Sequence, residues 1–145
     1  MLVCCRVVNN LDIIEMTAEQ ADDIDDRLAD YDRAIIGEEP QGKIQLGVVI
    51  DGELVGGIDA QMSEYWIMYV STLFVDEAYR RRGIARLLMS EMEKRARELG
   101  AKHIRLDTFD FQGVDFYRSL GYEEVGYYSS NDGAYAEHIF LKRLV

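Results

Sequence analysis

The chain has 145 residues, 48% of them hydrophobic and 30% charged, which is typical of one globular domain with a hydrophobic core. Its 27 acidic and 16 basic residues give a formal net charge of −11, which argues against a nucleic-acid surface, because such a surface needs a basic face. We find neither the apolar run of a membrane span nor the apolar core of a signal peptide, and two adjacent cysteines make neither a metal site nor a disulfide framework. We therefore expect one cytoplasmic domain over residues 1–145, with no nucleic-acid, membrane or metal partner.

The first predicted elements are two short strands and a helix. Residues 2–8 and 11–16 both have strand-like apolar patterns, and which of the two pairs in a sheet stays open. Thr17 and Gln20 have the spacing of a capping box, so we expect a helix to begin after Thr17 and to end at Gly37. One apolar stripe at helical spacing supports it, formed by Ala21, Ile24, Leu28, Tyr31 and Ile35.

The middle of the chain predicts a hairpin, a long strand and a second helix. Two β-rich runs within residues 43–61 flank an Asp-Gly pair at 51–52, which suits a type I′ turn. Residues 65–75 are mostly apolar and predict a strand covered on both faces. The helix that follows ends at Gly100, and its apolar side consists of Ile84, Leu88, Met92, Ala96 and Leu99.

The last third of the chain completes a mixed sheet. Residues 101–109 predict a strand that is parallel to the previous one, because a strand–helix–strand unit joins parallel neighbours by a right-handed crossover. Residues 111–121 predict a short helix, and residues 122–129 and 134–144 predict a closing hairpin. The fold class is therefore α/β, with a mixed sheet of six or seven strands flanked by helices.

Three consecutive arginines at residues 80–82, with Arg86 one turn later, stand where the second helix begins. Cations are unfavourable there, because a helix N-terminus carries unpaired N–H groups and the positive end of the dipole. An anion removes the conflict, and Gly83 allows the backbone to approach it closely. The pattern predicts a phosphate or pyrophosphate site that is neither a Walker A loop nor a dinucleotide fingerprint. The alternative is a surface turn whose arginines pair with nearby acids.

The spacing Arg80-x-x-Gly83-x-Ala85, directly after an apolar strand, resembles the acyl-CoA pyrophosphate motif of the GNAT superfamily of N-acetyltransferases. The order of the predicted elements matches that superfamily as well, so the likeness covers nearly the whole chain. Residues 106–126 and the carboxyl-terminal strand resemble a subgroup of small bacterial acetyltransferases of undefined substrate.

A second motif lies downstream. The pair Phe116-Tyr117, followed four positions later by Gly121 and an aromatic residue, resembles the second conserved motif of the superfamily. That motif usually opens with an asparagine and an alanine, and Asp110 and Gly113 stand near those places here. The resemblance implies a single-domain GNAT-like acyl-CoA N-acyltransferase fold.

The resemblance also implies an activity and a cosubstrate. Members transfer acetyl from acetyl-CoA directly to a primary amine of a small molecule or protein, without a metal. Their fourth strand splays from the fifth, and the freed backbone groups bind the pantetheine arm; residues 71–75 match the splayed strand. The residues thereby assigned to the cofactor are Leu73, Phe74, Val75, Arg80, Arg81, Arg82, Gly83, Ile84, Ala85, Arg86 and Phe116.

The chemistry needs a proton acceptor for the amine and a proton donor for the leaving thiolate. Tyr117 matches the family tyrosine near the thioester sulfur, so the resemblance assigns it as the general acid. Related proteins often have an acidic residue where Ser71 stands, which leaves Asp107, Glu64 or a water chain as the base.

The missing acid keeps an alternative open, a non-enzymatic acyl-CoA-binding sensor or interaction module with a GNAT-like fold. Strands at the sheet edges favour a homodimer. The identity of the acceptor amine, and whether the acyl group is acetyl or longer, stay open.

Overall fold

A computed structural model describes residues 11–38 and 40–144. The chain divides into two compact units at the boundary between Glu38 and Glu39. The strand predicted at residues 2–8 lies outside the described residues, and the single domain over residues 1–145 stays a prediction.

The first unit contains helix α1, Ala18–Ile36. Its capping box forms as predicted: Thr17 Oγ1 accepts from the Gln20 amide at 3.2 Å, and Gln20 Oε1 accepts from the Thr17 amide at 2.9 Å. Gly37 ends the helix with φ of 90°. Residues 11–17 form neither helix nor strand, so the strand predicted at 11–16 is wrong. An apolar pattern favours a strand only where a neighbouring strand supplies the ladder hydrogen bonds.

The second unit is a six-stranded sheet with helices α2, Ile84–Glu98, and α3, Val114–Ser119. The strands are β1 Lys43–Ile50, β2 Glu53–Ser63, β3 Ile67–Val75, β4 His103–Phe109, β5 Glu123–Ser129 and β6 Ala136–Arg143. Their spatial order is β1-β2-β3-β4-β6-β5. Only β3 and β4 pair in parallel, and the other neighbours are antiparallel. The predicted α/β class and mixed sheet are confirmed.

Local turn chemistry fixes the two hairpins. Asp51 and Gly52 have φ of 51° and 82°, the positive values that a type I′ turn requires, so the predicted β1–β2 hairpin is confirmed. The closing hairpin also forms, and its second strand, β6, lies between β4 and β5. Strands β1 and β5 are therefore the edges of the sheet formed by the described residues, and the homodimer stays a prediction.

The hydrophobic core is formed by buried side chains of α2 and α3, of strands β1 to β4 and of β6. Helix α2 contributes Leu88, Met92 and Ala96, all buried, and it packs against β1, β2 and β3. The prediction that β3 is covered on both faces is wrong. The burial of its side chains varies along the strand, and Phe74 is 55% exposed. The carboxyl-terminal half of β3 borders an open wedge, which removes the cover expected there.

Candidate active site

The wedge arises because β3 and β4 pair only along their first halves, up to Val70 and Leu106. Beyond that pair β3 stays bonded to β2, and β4 stays bonded to β6. A register shift in the β2–β3 ladder leaves Ser71 as an extra residue, and such a bulge bends a strand. Residues 71–75 and 107–109 therefore diverge, which is the splay that the resemblance implies.

A cavity of about 660 Å³ occupies the wedge. Strand β3 supplies one wall, Asp107 stands on the β4 side, and helix α3 covers the cavity with Phe116 and Tyr117. The structure thus brings together eight of the residues predicted for the site: Leu73, Phe74, Val75, Arg80, Ala85, Asp107, Phe116 and Tyr117.

A second cavity of about 580 Å³ adjoins the first along Val75, Arg80, Ala85 and Phe116, which line both. Its remaining walls come mainly from the start of α2 and from α3: Tyr79, Arg81, Gly83, Ile84, Arg86, Asp115 and Ser119. The two cavities form a continuous path from the wedge to the N-terminus of α2. Arg82 lines neither cavity.

The loop before α2 leaves its amides free. Gly83 precedes the helix in the left-handed conformation, with φ of 81° and ψ of 6°, and no side chain caps the helix. Across the part of the chain that the structure describes, the amides of residues 81–86 donate no hydrogen bond. A Cβ at position 83 would meet nothing within 4 Å, so lack of space does not explain the glycine. Its positive φ does, because glycine adopts that conformation readily. Free amides and the positive end of the helix dipole favour an anion at this position, and the anion site itself stays a prediction.

Three of the four arginines, Arg80, Arg82 and Arg86, donate hydrogen bonds to neutral acceptors within the described residues. Arg80 Nε donates to the Val75 carbonyl at 2.9 Å, and Arg86 Nη2 donates to Ser119 Oγ at 3.3 Å. Arg82 donates to the Ala78 carbonyl at 3.2 Å and lies over the Tyr79 ring. Among the described residues, none of the four arginines forms an ion pair. The alternative of a surface turn held by ion pairs is therefore wrong.

Tyr117 is only 8% exposed and sits among aromatic rings. Its ring centroid is 5.2 Å from that of Phe116, 5.9 Å from Phe140 and 6.1 Å from Tyr122. Burial, and then the nearby Asp107 carboxylate, raise the pKa of Tyr117 to about 12. The hydroxyl therefore stays protonated at neutral pH, and it makes no hydrogen bond within the described chain.

Asp107 is half-buried beside the cavity. Its Oδ2 accepts a hydrogen bond from the Tyr69 hydroxyl at 2.9 Å. The sequence analysis did not single out Tyr69, because only the β3–β4 register brings residues 38 positions apart together. Ser71, where relatives often have an acid, donates to the Asp59 carbonyl at 3.2 Å.

Glu64 begins the short 3₁₀ turn Glu64–Trp66, which precedes β3. The wedge opens at the opposite end of that strand, beyond Val70. The backbone of residue 64 therefore lies at the other end of β3 from the wedge, and its assignment as a base stays a prediction.

Residues 11–38 and 40–144 contain no group of three or more His, Cys, Asp or Glu side chains arranged to hold a metal ion. None of the helices described is both long and apolar enough to cross a membrane.

The sequence of the chain is similar to those of known acetyltransferases. A family model described as the Acetyltransferase (GNAT) family matches residues 8–122. Acetyltransferase Atu2258 of Agrobacterium fabrum (strain C58 / ATCC 33970) is 33% identical over 118 residues, 79% of this chain and 82% of that protein. Blasticidin-S acetyltransferase of Streptomyces morookaense is 32% identical over 94 residues, 64% of this chain and 68% of that protein.

Solved structures are similar as well. The crystal structure of an acetyltransferase from Bacillus cereus ATCC 14579 matches with a TM-score of 0.86 and 30% identity, over 92% of this chain and 98% of that one. A Bacillus anthracis str. Ames protein assigned as a streptothricin acetyltransferase, solved in complex with acetyl coenzyme A, has a TM-score of 0.64 over 71% of this chain and 63% of that one. At 17% identity, the second likeness shows the fold alone.

Proposed function

Because this chain belongs to the GNAT family of acetyltransferases, we propose that it transfers the acetyl group of acetyl-CoA to a primary amine. The observation that carries the proposal is the continuous path from the wedge to the free amides at the start of α2. One end of that path suits an anion, and the other end holds the half-buried Asp107 and the buried Tyr117.

The residues present fit a pyrophosphate at the start of α2. Six consecutive amides without partners, the positive end of the helix dipole and nearby guanidinium groups all favour a multiply charged anion. Arg81 and Arg86 line the cavity there and supply the guanidinium groups. Arg82 points to the loop instead, so we assign it to holding the turn against Ala78 and Tyr79.

The wedge suits the pantetheine arm. Residues 73–75 of β3 have no neighbouring strand on the β4 side, so their backbone groups facing the wedge are available to an extended amide-bearing ligand. The cavity walls there are partly apolar, with Leu73 and Phe116 among them. Acetyl-CoA supplies the reactive thioester, and the chain supplies the positions of the donor and acceptor groups around it.

Tyr117 serves the leaving sulfur as a hydrogen-bond donor. In the transfer the new C–N bond forms and the C–S bond breaks, and an amine that arrives as a cation gives up two protons, one taken by the base and one that ends on the departing thiolate. A tyrosine with a pKa of about 12 stays protonated, but full transfer to a thiolate of pKa about 8.5 is uphill by roughly 5 kcal/mol. Tyr117 therefore stabilises the negative charge that develops on sulfur by donating a hydrogen bond. It gives its proton fully to the sulfur only when a second proton replaces it on the hydroxyl.

Asp107 is the proton acceptor that the geometry favours. Its carboxylate borders the cavity near Tyr117, since it contributes to the raised pKa of that tyrosine. An acceptor with an ordinary amine pKa near 10 arrives as a cation, so a carboxylate both attracts it and receives its proton. A water chain from the amine to the carboxylate serves the same step.

The acceptor class is a small cationic amine. The net charge of −11 favours a cation, and one relative is named for a small molecule, blasticidin S. The relatives named as acetyltransferases favour an enzyme over a non-enzymatic CoA-binding module.

The test is a turnover assay with purified protein, acetyl-CoA and a panel of amines that includes blasticidin S, polyamines and lysine peptides. Release of free thiol is recorded against a control without amine. Thiol release that depends on one amine, with the acetylated amine found by mass spectrometry, supports the proposal. Tight CoA binding without release for any amine would favour the non-enzymatic module instead.

A further inference from the structure

Tyr69 stands at the apex of the wedge. It pairs with Arg105 across the parallel β3–β4 ladder, one position before the ladder ends at Val70 and Leu106. Asp107 follows Arg105 by two residues, so Tyr69 and Asp107 share one face of the sheet. The Tyr69 hydroxyl spans the opening and donates to Asp107 Oδ2 at 2.9 Å. It is the last side-chain link between the two strands before they diverge.

Asp107 is held by this one contact. Within the described residues its Oδ2 accepts from Tyr69, and its Oδ1 makes no hydrogen bond or ion pair. A carboxylate with one oxygen fixed and the other free has a defined orientation and retains a site for a proton. A water-solvated carboxylate has no such orientation.

We propose that Tyr69 is a positioning residue, which orients the Asp107 carboxylate so that its free oxygen receives the proton of the acceptor amine. This inference rests on the proposed acetyl transfer and deepens it. Tyr69 does not line the cavity, so it acts through Asp107 and not on the acetyl donor.

Tyr69 has the properties of a fixed donor. Its ring is half-buried, and the Arg105 guanidinium lies 4.9 Å from its centroid, so the ring is held on one face. Burial first, and then the hydrogen bond to Asp107, raise the pKa of Tyr69 above its usual value. The hydroxyl therefore keeps its proton at neutral pH, and the direction of the hydrogen bond is fixed toward the carboxylate.

The charged and titratable groups around this pair come from every neighbouring element. Arg105 and Glu137 act on Tyr69 from β4 and β6. Tyr117 on α3 and Tyr128 on β5 both feel the Asp107 charge. Among these groups only Tyr69 donates a hydrogen bond to Asp107, so removing its hydroxyl changes the carboxylate directly.

The test is a double-mutant cycle with Tyr69→Phe, Asp107→Asn and both changes together, read as kcat/KM across pH for an amine that the wild type accepts. Loss of the donor removes the contact that fixes the orientation of the carboxylate, so Tyr69→Phe should lower kcat for the amine and leave the KM for that amine nearly constant. At neutral pH kcat/KM should fall about tenfold, while KM for acetyl-CoA stays constant. In the Asp107→Asn background, Tyr69→Phe should change the rate less than about twofold.

The matched control is Tyr127→Phe, which removes a hydroxyl from a tyrosine that lines neither cavity and stacks on His138 at 5.7 Å. Its pH profile should match the wild type. Melting temperatures of all variants separate a change in orientation from a loss of fold.

Three results overturn the inference: an unchanged kcat in Tyr69→Phe, an equal loss in the Asp107→Asn background, or full activity of Asp107→Asn. Each of them leaves wild-type acetyl transfer intact, so the proposed function survives. If the wild type transfers acetyl to no amine, the proposed function fails and this inference fails with it.

Discussion

Replacing Tyr117 with phenylalanine tests the role of one hydroxyl with little disturbance of the fold. The ring contacts at 5.2, 5.9 and 6.1 Å remain, and no described partner loses a hydrogen bond. We therefore expect the free energy of unfolding at pH 7 to change by less than about 1 kcal/mol. A hydrogen bond to a charged group contributes about 1.5–3 kcal/mol, so kcat should fall by roughly 10- to 150-fold.

Steady-state thiol release gives both kinetic constants. KM for acetyl-CoA should stay nearly constant, because the hydrogen bond to sulfur strengthens only as the C–S bond breaks. A thioester with a more acidic leaving thiol should show a smaller loss, because less charge then needs a donor. An unchanged kcat with every accepted amine would refute the reasoning and leave Tyr117 as a packing residue.

The same variant checks the raised pKa. In the native state the pKa of Tyr117 rises from 10.0 to about 12, so the fold favours the protonated form. Its contribution is fully present below pH 10 and is lost as pH rises through 12, a decrease of at most about 2.7 kcal/mol. Urea unfolding between pH 8 and about 11.5 should therefore show a shallower alkaline loss for Tyr117→Phe than for the wild type. Parallel curves would contradict the burial of the hydroxyl.

Three further predictions concern the anion site and the fold. CoA should raise the melting temperature by mass action, equivalent to about 2.7 kcal/mol at a hundred times Kd, and no shift at millimolar CoA would contradict the site. Gly83→Asp should weaken CoA binding about a hundredfold in calorimetry, because it adds negative charge beside the pyrophosphate. The control is Gly52→Asp, at a position with a similar positive φ and equally free space around a Cβ, which should bind CoA as the wild type does. Glu93→Leu should lower the free energy of unfolding by about 2 kcal/mol, because it removes the carboxylate that accepts from Lys142 Nζ at 2.9 Å and from the Tyr122 hydroxyl at 3.1 Å, while Lys142 retains the Leu120 carbonyl. A urea-unfolding change below about 0.5 kcal/mol would exclude that role.

Features set by neighbouring residues were predicted well. The capping box at Thr17 and the hairpin at residues 51–52 need only local chemistry, and both form as expected. The anion site at residues 80–83 stays a prediction, made from charge because three cations at a helix N-terminus conflict with the dipole. Local rules are sufficient where the partners are a few positions apart.

Features set by strand register were not predictable. The wedge depends on the Ser71 bulge and on where the β3–β4 ladder stops, and neither has a signal in the apolar pattern of residues 65–75. That pattern instead predicted a strand covered on both faces. The contact between Tyr69 and Asp107 depends on the same register. The strand predicted at residues 11–16 failed for a related reason, since apolar alternation does not specify a partner.

The loop before α2 concentrates three unfavourable features that share one explanation. Arg81 has φ of 64°, a left-handed conformation that costs a residue with a side chain about 1 kcal/mol or more. Six amides lack described acceptors, and four arginines lack acidic partners. Any one of these occurs in ordinary surface loops. Together they fit the proposed site: a multiply charged anion bound there accepts hydrogen bonds from the amides and neutralises the arginines, which offsets the cost of the Arg81 conformation.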